Sequence, residues 1–399
     1  MPTIDFVGEG LKEITSNSWI YKYLKYTEGQ ESPTKFHLWS GISAIASALG
    51  RHVYMYRGYY MLYPNMYIVI TAESARCRKS TSADIAVDDI LQNADVMSIL
   101  RDKMTTEFLC KELSMNPGVN NECLIYASEL ATFLGANAFH SGLIPLLTNI
   151  FNCPARKDYK TKESGIFSME NVCVNFLACT TLDWMSNNMP GDTIEGGFTG
   201  RVLFIVGEDP RLRNAWPTVT TEQKKIRVDL ITDIIRISQM HGQFEVTDEA
   251  RDIYTKWYDR TIEPADIRLR PYEGRKGDHV LKIAMILSAA ENIPGVPHDK
   301  LIKGRHIRTA LDILENAEKL MPLAFRGAAF SKNSKDIDRV LRQLEKLGAH
   351  EKWIMHSILL KKNAHYLNKT EFKEVIDSLE DMGSIEIMHK GRGVQYRLR

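Results

Sequence analysis

The residues best equipped for chemistry lie in one short run, Arg78-Lys79-Ser80-Thr81. A Lys beside a Ser where a strand and turn give way to a helix is a way to hold phosphate. Backbone N–H groups and the helix N-terminus cradle the oxygens, the ammonium reaches the outer phosphates, and the hydroxyl ligates Mg²⁺. The flanks suit that layout. Tyr67-Ile68-Val69-Ile70 has the length and β-branched content of a strand buried on both faces. Ile85, Ile90 and Leu91 fall on one helix face. The pattern G-x-x-x-x-G-K-[ST] runs from Glu73 to Ser80, so Glu73 and Arg78 stand where glycines are usual. Glycine there supplies a positive φ and close backbone approach, and a Glu73 carboxylate repels phosphate unless it points away. The competing reading is a surface turn that happens to hold Lys-Ser.

Three more apolar runs are flanked by residues that could serve such a site. Cys123 to Ala127 leads into Ser128-Glu129, where acids of phosphate-loop enzymes hold the Mg²⁺ water shell and polarise the attacking water. Only Glu129 is acidic, and Ser128 occupies the place of a usual Asp. Val172 to Cys179 ends in Thr180-Thr181, either a γ-phosphate contact or a helix cap. Gly196-Gly197-Phe198-Thr199-Gly200 delivers Arg201 ahead of Val202 to Val206. An Arg so placed acts as a finger on a neighbouring subunit's γ-phosphate, or caps a helix, or pairs with Glu195. Between the second and third runs, Arg156, Lys157, Lys160 and Lys162 surround Tyr159, with Gly165 as a turn. That ribbon suits a phosphate backbone or plain solvent equally.

These elements sit in a chain of 399 residues, enough for two or three domains. Hydrophobic content of 44 % and charged content of 25 % are ordinary for a globular protein, and a net charge of +1 requires any nucleic-acid footprint to be local. Six cysteines without a CxxC pair read as reduced core thiols of a cytosolic protein rather than a zinc site. No stretch has the apolar length of a membrane helix, and charges interrupt the N-terminus where a signal peptide would be apolar. The expected domains are an N-terminal helical and β-hairpin region (1–62), an α/β core (63–210), a helical region (211–330) and a C-terminal domain (331–399). In the first, Val53 to Tyr56 and Tyr59 to Leu62 pair across Arg57-Gly58, with the tyrosines expected to pack rather than to stack on bases. In the last, three helices precede two strands around the basic turn His389-Lys390-Gly391-Arg392-Gly393, the order of a winged helix. There Asn368 or Thr370 caps the third helix and Phe372, Val375, Ile376 and Leu379 form its apolar stripe. Residues 331–399 carry 14 Lys/Arg against 10 Asp/Glu, a net charge of +4, and the rest carries −3.

Taken together, the chain resembles a P-loop NTPase family of phage, prophage and plasmid replication proteins, members of which are often fused to primase or primase-polymerase domains. The resemblance covers roughly residues 30–290. It rests on Tyr63-Pro64-Asn65-Met66-Tyr67, on Ser74 with Arg78-Lys79-Ser80, and on Ala127-Ser128-Glu129-Leu130. Cys153-Pro154, Gly196-Gly197-Phe198 with Arg201, and Arg275-Lys276 ahead of Lys282 complete it. An Arg before the Lys-Ser occurs in that family; Glu73 and Ser128 depart from it. The resemblance implies an ATP-driven motor of the AAA+ or superfamily 3 helicase type, with an AAA+-like parallel sheet, a helical lid and a homo-hexameric ring around DNA. It implies that Ser74, Arg78, Lys79, Ser80 and Thr81 hold ATP, with Ser80 and Glu129 at Mg²⁺. Glu129 would orient water, Thr180 or Thr181 would sense the γ-phosphate, Arg201 would act in trans, and Arg275 would sense phosphate from the lid. Arg156, Lys157, Lys160 and Lys162 would meet single-stranded DNA in the pore, and Lys390 and Arg392 duplex DNA at the winged helix.

Three functions follow. The first is a DNA helicase or translocase replicating a phage or related mobile element in the bacterial cytoplasm, working with a separate primase or polymerase. The second is an ATP-binding helicase loader or origin-binding factor that unwinds nothing itself. The third is a regulator that has lost nucleotide. Arg201 and the basic ribbon favour the first; the single acid favours the second; Glu73 favours the third.

Overall fold

The computed structural model describes residues 10–101, 103–116, 118–134, 142–161, 165–188, 197–207, 209–260, 267–291, 298–325, 334–350, 352–364, 366–381, 383–390 and 393–398. The chain is mixed α/β and divides into two compact units, Met1–Arg326 and Gly327–Arg399.

The first unit is built on five parallel strands: β1 (Tyr67–Ala72), β2 (Ser98–Arg101), β3 (Asn121–Ala127), β4 (Val172–Thr181) and β5 (Val202–Val206). Their order across the sheet is β2-β3-β4-β1-β5. Every residue of β1 and β5 is buried, as are all of β4 but Thr181, which is why these runs read as continuous apolar stretches rather than alternating ones. Tyr67 pairs with Phe176 on one side and Val202 on the other; Thr71 pairs with Thr180 and Val206. The carboxyl ends of β1, β4 and β5 therefore lie level.

Helices cover both faces. On one face lie Thr34–Leu49 and the helix that begins at Lys79, where Asn175 Nδ2 reaches the Ala46 carbonyl and Tyr126 Oη reaches Asp84. On the other lie Leu130–Leu134 and Leu143–Ile150, where the ring pairs Phe133–Phe176 and Tyr67–Phe151 form. The helix from Lys79 is α-helical to Asp84, π-helical over Ile85–Leu91, and α-helical again over Gln92–Ala94. Trp19–Tyr26 packs on Thr221–Ser238, fastened by Trp19 Nε1 donating to the Leu230 carbonyl at 3.0 Å. The N-terminal helices and the helices after residue 220 thus belong to the same unit as the sheet. No described helix is long and apolar enough to cross a membrane. All six cysteines are buried and unpaired by disulfide.

One expectation of packing fails. In the hairpin of Val53–Tyr56 and Met61–Leu62, Tyr63 is buried and Tyr54 partly so, but Tyr56 is 57 %, Tyr59 102 % and Tyr60 46 % exposed. The root packs against Cys153 and Cys173, while the turn makes only edge contacts, Tyr60 Oη with Asp278 and Arg57 with the Tyr254 ring, which leave its aromatic faces in solvent.

The second unit holds helices Ser334–Lys346, His356–Asn363 and Lys369–Asp381, then the antiparallel strands Ile385–Lys390 and Gly393–Leu398, with Ile354–Met355 added beside the last. Phe372, Val375, Ile376 and Leu379 are all buried in its own core. Asn368 is the cap: its Oδ1 accepts from Thr370 N at 2.9 Å and Glu371 N at 3.0 Å, and Asn368 N donates to the Glu371 carboxylate at 2.9 Å.

Candidate functional site

The carboxyl end of β1 turns through residues 73–78 into the helix at Lys79. Arg78, where a glycine is usual, adopts the left-handed conformation itself, with φ 44° and ψ 49°, and Ala75 has φ 55°. The turn keeps the backbone shape that glycine favours at Arg78 while carrying a side chain. That side chain is exposed and pairs with Glu31, and Ser32 Oγ donates to the Arg78 carbonyl at 3.1 Å. Glu73 is neutralised locally: Arg76 Nη1 lies 2.7 Å from its carboxylate, and Arg76 Nη2 lies 2.7 Å from Asp209 beyond β5. Ser74 is exposed in the same turn.

Lys79 folds back over the turn and donates to the Ala72 carbonyl at 3.3 Å and the Glu73 carbonyl at 3.0 Å. It has no carboxylate partner among the described residues, so its ammonium can turn to an anion by giving up two carbonyl contacts. Ser80 and Thr81 are half-exposed and their hydroxyls make no hydrogen bond among the described residues, whereas Ser82 Oγ is spent on the Lys79 carbonyl at 2.7 Å.

Thr180 and Thr181 separate cleanly. Thr181 Oγ1 accepts from Trp184 N at 3.1 Å and caps the helix Leu182–Asn188. Thr180 is fully buried and its hydroxyl has no partner among the described residues, and neither has that of Thr71, its register partner on β1. A buried hydroxyl without a partner forgoes free energy, and such groups mark sites that a ligand or water completes. Glu129 is exposed just beyond β3, and its carbonyl starts the next helix by accepting from Thr132 N and Phe133 N. Cys179 registers the convergence: burial and the carboxylates of Asp84 and Glu129 push its thiol pKa up while Lys79 pulls it down. One buried thiol thus lies in the fields of Lys79, Asp84 and Glu129 together.

Asp84 is a residue the sequence reading missed. It follows Ser80 by four positions, which places both on one helix face, and Tyr126 Oη donates to it at 2.5 Å. Burial raises its pKa. The i,i+4 spacing after the Lys-Ser was the available signal.

Arg201 and Arg275 lie elsewhere. Arg201 directly precedes Val202, which pairs with Tyr67, so it sits at the amino end of the sheet, about 17 Å along β1 from the turn at Ala72. It does not meet Lys79 within one chain. Its Nη1 donates to the Gly197 carbonyl at 2.5 Å, while its Nε is buried without a partner among the described residues. Burial, and then the neighbouring Arg275, hold its pKa below the ordinary arginine value. Arg275, on the helix Arg270–Ala289, therefore groups with Arg201 and not with the turn at 73–79. Lys276 beside it is engaged by Glu318 at 2.9 Å. Gly200 is required here: a Cβ would lie 2.2 Å from the Pro271 carbonyl, so helix and loop touch through backbone.

The basic ribbon is the hairpin Arg156–Thr161 with Gly165–Glu170, rooted at the amino end of β4. Arg156 and Lys160 share its exposed face with Asp158, which pairs with Arg156 at 3.3 Å; Lys157 and Tyr159 face the other way. Lys162, Arg392, Gly196 and Glu195 lie outside the described residues, and Lys390 is described only as backbone.

Between Trp19–Tyr26, Thr221–Ser238 and the segment 212–220 lies a cavity of about 710 Å³, lined by Tyr21, Lys25, Arg213 and Asn214 among others. Asn214 N donates to Glu31 at 2.9 Å, and Glu31 grips Arg78, so one carboxylate links a residue of the cavity lining to the turn.

No family model matches the chain, and no curated protein matches it.

Proposed function

We propose that the chain is an ATPase of the P-loop type that works as a ring-forming DNA helicase or translocase. The observation that carries this reading is that Lys79 and Glu129, just beyond the carboxyl ends of β1 and β3, both act on the buried Cys179 near the end of β4, with Arg201 held at the opposite end of the same sheet. Ligands of open parallel sheets bind at strand carboxyl ends. The order β2-β3-β4-β1-β5 places the turn between two crossovers, as that class of site requires. Lys79 supplies charge for the outer phosphates, the free Ser80 hydroxyl suits Mg²⁺, and the orphaned Thr180 hydroxyl suits a γ-phosphate oxygen. Mg²⁺ bound this way takes phosphate and water ligands and needs few protein groups; among the described residues no cluster of three ligating side chains exists.

Arg201, remote from its own chain's turn, suits head-to-tail assembly in which it reaches the next subunit's nucleotide. Arg275 beside it joins that trans contact on this reading, rather than sensing phosphate from a lid. The ribbon 156–170 suits DNA contact, its charge moderated by Asp158. The second unit, three helices and a hairpin, suits a winged helix. The loader reading keeps one specific support: Ser128 and Glu129 are both exposed and give a single carboxylate where two are usual.

The test is ATP hydrolysis by the full chain, with and without single-stranded DNA, beside Lys79→Ala and Arg201→Ala. DNA-stimulated turnover lost in both variants, with ATP still bound by Arg201→Ala, is the expected result. ATP binding with turnover at background overturns the motor in favour of the loader.

A further inference from the structure

The hairpin at 53–62 carries a surface that none of the foregoing uses. Tyr56, Tyr59, Tyr60 and Met61 are exposed around its turn, Tyr59 completely. The ribbon is nonetheless fixed. Arg57 N donates to the Tyr60 carbonyl at 2.8 Å, Tyr60 Oη donates to Asp278 at 3.0 Å, and the Arg57 guanidinium stands 5.5 Å from the Tyr254 ring centre. Gly58 takes the φ of 74° that closes the turn, with open space around it. Four large side chains kept in water on a braced ribbon hold up no core; exposed patches of this kind mark contacts with a partner.

The root of the ribbon indicates which partner. Tyr54 and Tyr63 pack against Cys153 and Cys173, the residues that flank the basic ribbon 156–170. The two ribbons therefore rise from one small core at the amino end of the sheet. One brings rings and Arg57; the other brings Arg156, Lys157 and Lys160. The acid nearest the tyrosines, Asp278, is occupied by Tyr60. Rings that stack on bases beside cations that follow a phosphate backbone are how single strands are held without regard to sequence. An apolar protein partner would better match a flat Leu- or Phe-rich face than tyrosines whose polar hydroxyls stand on the exposed ribbon.

We propose that the tyrosine turn 56–61 is a stacking platform for single-stranded nucleic acid, continuous with the ribbon 156–170. It rests on the DNA-motor reading, and the test separates the two. Full-length chain, Tyr56→Ala/Tyr59→Ala and Tyr59→Trp are titrated against fluorescein-labelled oligo(dT) by anisotropy, with DNA-independent ATP turnover and sedimentation measured alongside. Expected is a loss of affinity of about five-fold or more per tyrosine removed, with affinity kept by Tyr59→Trp and with basal turnover and sedimentation unchanged. Parental chain and double variant binding oligo(dT) equally tightly overturns the platform and leaves the motor standing. A parental chain that hydrolyses ATP but binds no oligo(dT) overturns both. A double variant that sediments as a smaller species assigns the turn to a subunit interface and overturns the platform.

Discussion

Lys282 donates to both oxygens of Asn65, at 2.7 Å to Oδ1 and 2.9 Å to the carbonyl, where neither residue meets water. No carboxylate pairs with this lysine among the described residues; instead its ammonium stands 4.0 Å from the Phe151 ring centre. Asn65 Nδ2 in turn donates to the carbonyls of Phe151 and Val174. One amide thus ties the entries of β1 and β4 and the end of the helix Leu143–Ile150 to the helix Arg270–Ala289. Asn65→Ala removes both acceptor and donor, leaving an ammonium and two carbonyls buried and underbonded. It should cost about 3–5 kcal/mol, read as a fall in the urea midpoint.

Lys282 also predicts an alkaline gain. Burial lowers its pKa to about 8 from an ordinary value of 10.5. Between those values the unfolded chain keeps a proton that the folded chain has released, so this group's contribution to stability rises with pH, by on the order of 3 kcal/mol across the window. Lys282→Met should lack that rise; equal pH dependence in parent and variant between pH 8 and 10 would contradict it.

Acid should act through His37 and His279, both fully buried and both brought down to about 3 by burial first and then by nearby cations. Each is neutral in the folded chain while the unfolded chain takes up protons below 6.5. Stability therefore falls as pH drops from 6.5 toward 3, by about 1.4 kcal/mol per pH unit for each histidine. His37→Leu should halve the shared slope between pH 6 and 5, measured by denaturant midpoints.

Thr180→Val isolates the orphaned hydroxyl. The side chain keeps its shape and loses a buried group that has no partner, so the folded chain should hold or gain about 1 kcal/mol. ATP turnover should fall ten-fold or more if that hydroxyl meets a γ-phosphate oxygen. Unchanged turnover would remove Thr180 from the site.

Mixing two dead variants tests the division of labour along β1. Lys79→Ala keeps Arg201, and Arg201→Ala keeps Lys79. In a head-to-tail ring of random composition about one interface in four joins an intact Lys79 to an intact Arg201. Turnover should reappear on mixing, near that fraction of the parental rate. No recovery would remove Arg201 from the nucleotide site of a neighbouring subunit.

Much of the site was legible because it lies in local patterns. The run Tyr67 to Ile70 and the Lys79-Ser80 pair are neighbours in sequence, and strand and helix propensities fix their relation. Arg78 was harder: a side chain at a glycine position reads as a defect, and only the backbone reveals that it adopts glycine's conformation. Arg275 could not be placed from sequence, because its position depends on where Gly200 meets Pro271, a contact between segments some seventy residues apart. The tyrosines at 56, 59 and 60 misled because aromatic residues in a strand pattern usually pack, and nothing local says which part of a hairpin is left in solvent. Lys282 reads as a break in an apolar helix until Asn65, more than two hundred residues away, supplies its acceptors.

The placement of Arg201 about 17 Å along β1 from the turn at 73–79 has a kinetic meaning. A site completed by a second copy has no first-order activity. The rate per chain should vanish on dilution, rise with protein concentration, and level off once every turn faces a neighbour. On the proposed trans reading, the turnover test of the motor is therefore decided at protein concentrations where the rate per chain has levelled off, since below them an intact chain should be inactive as well.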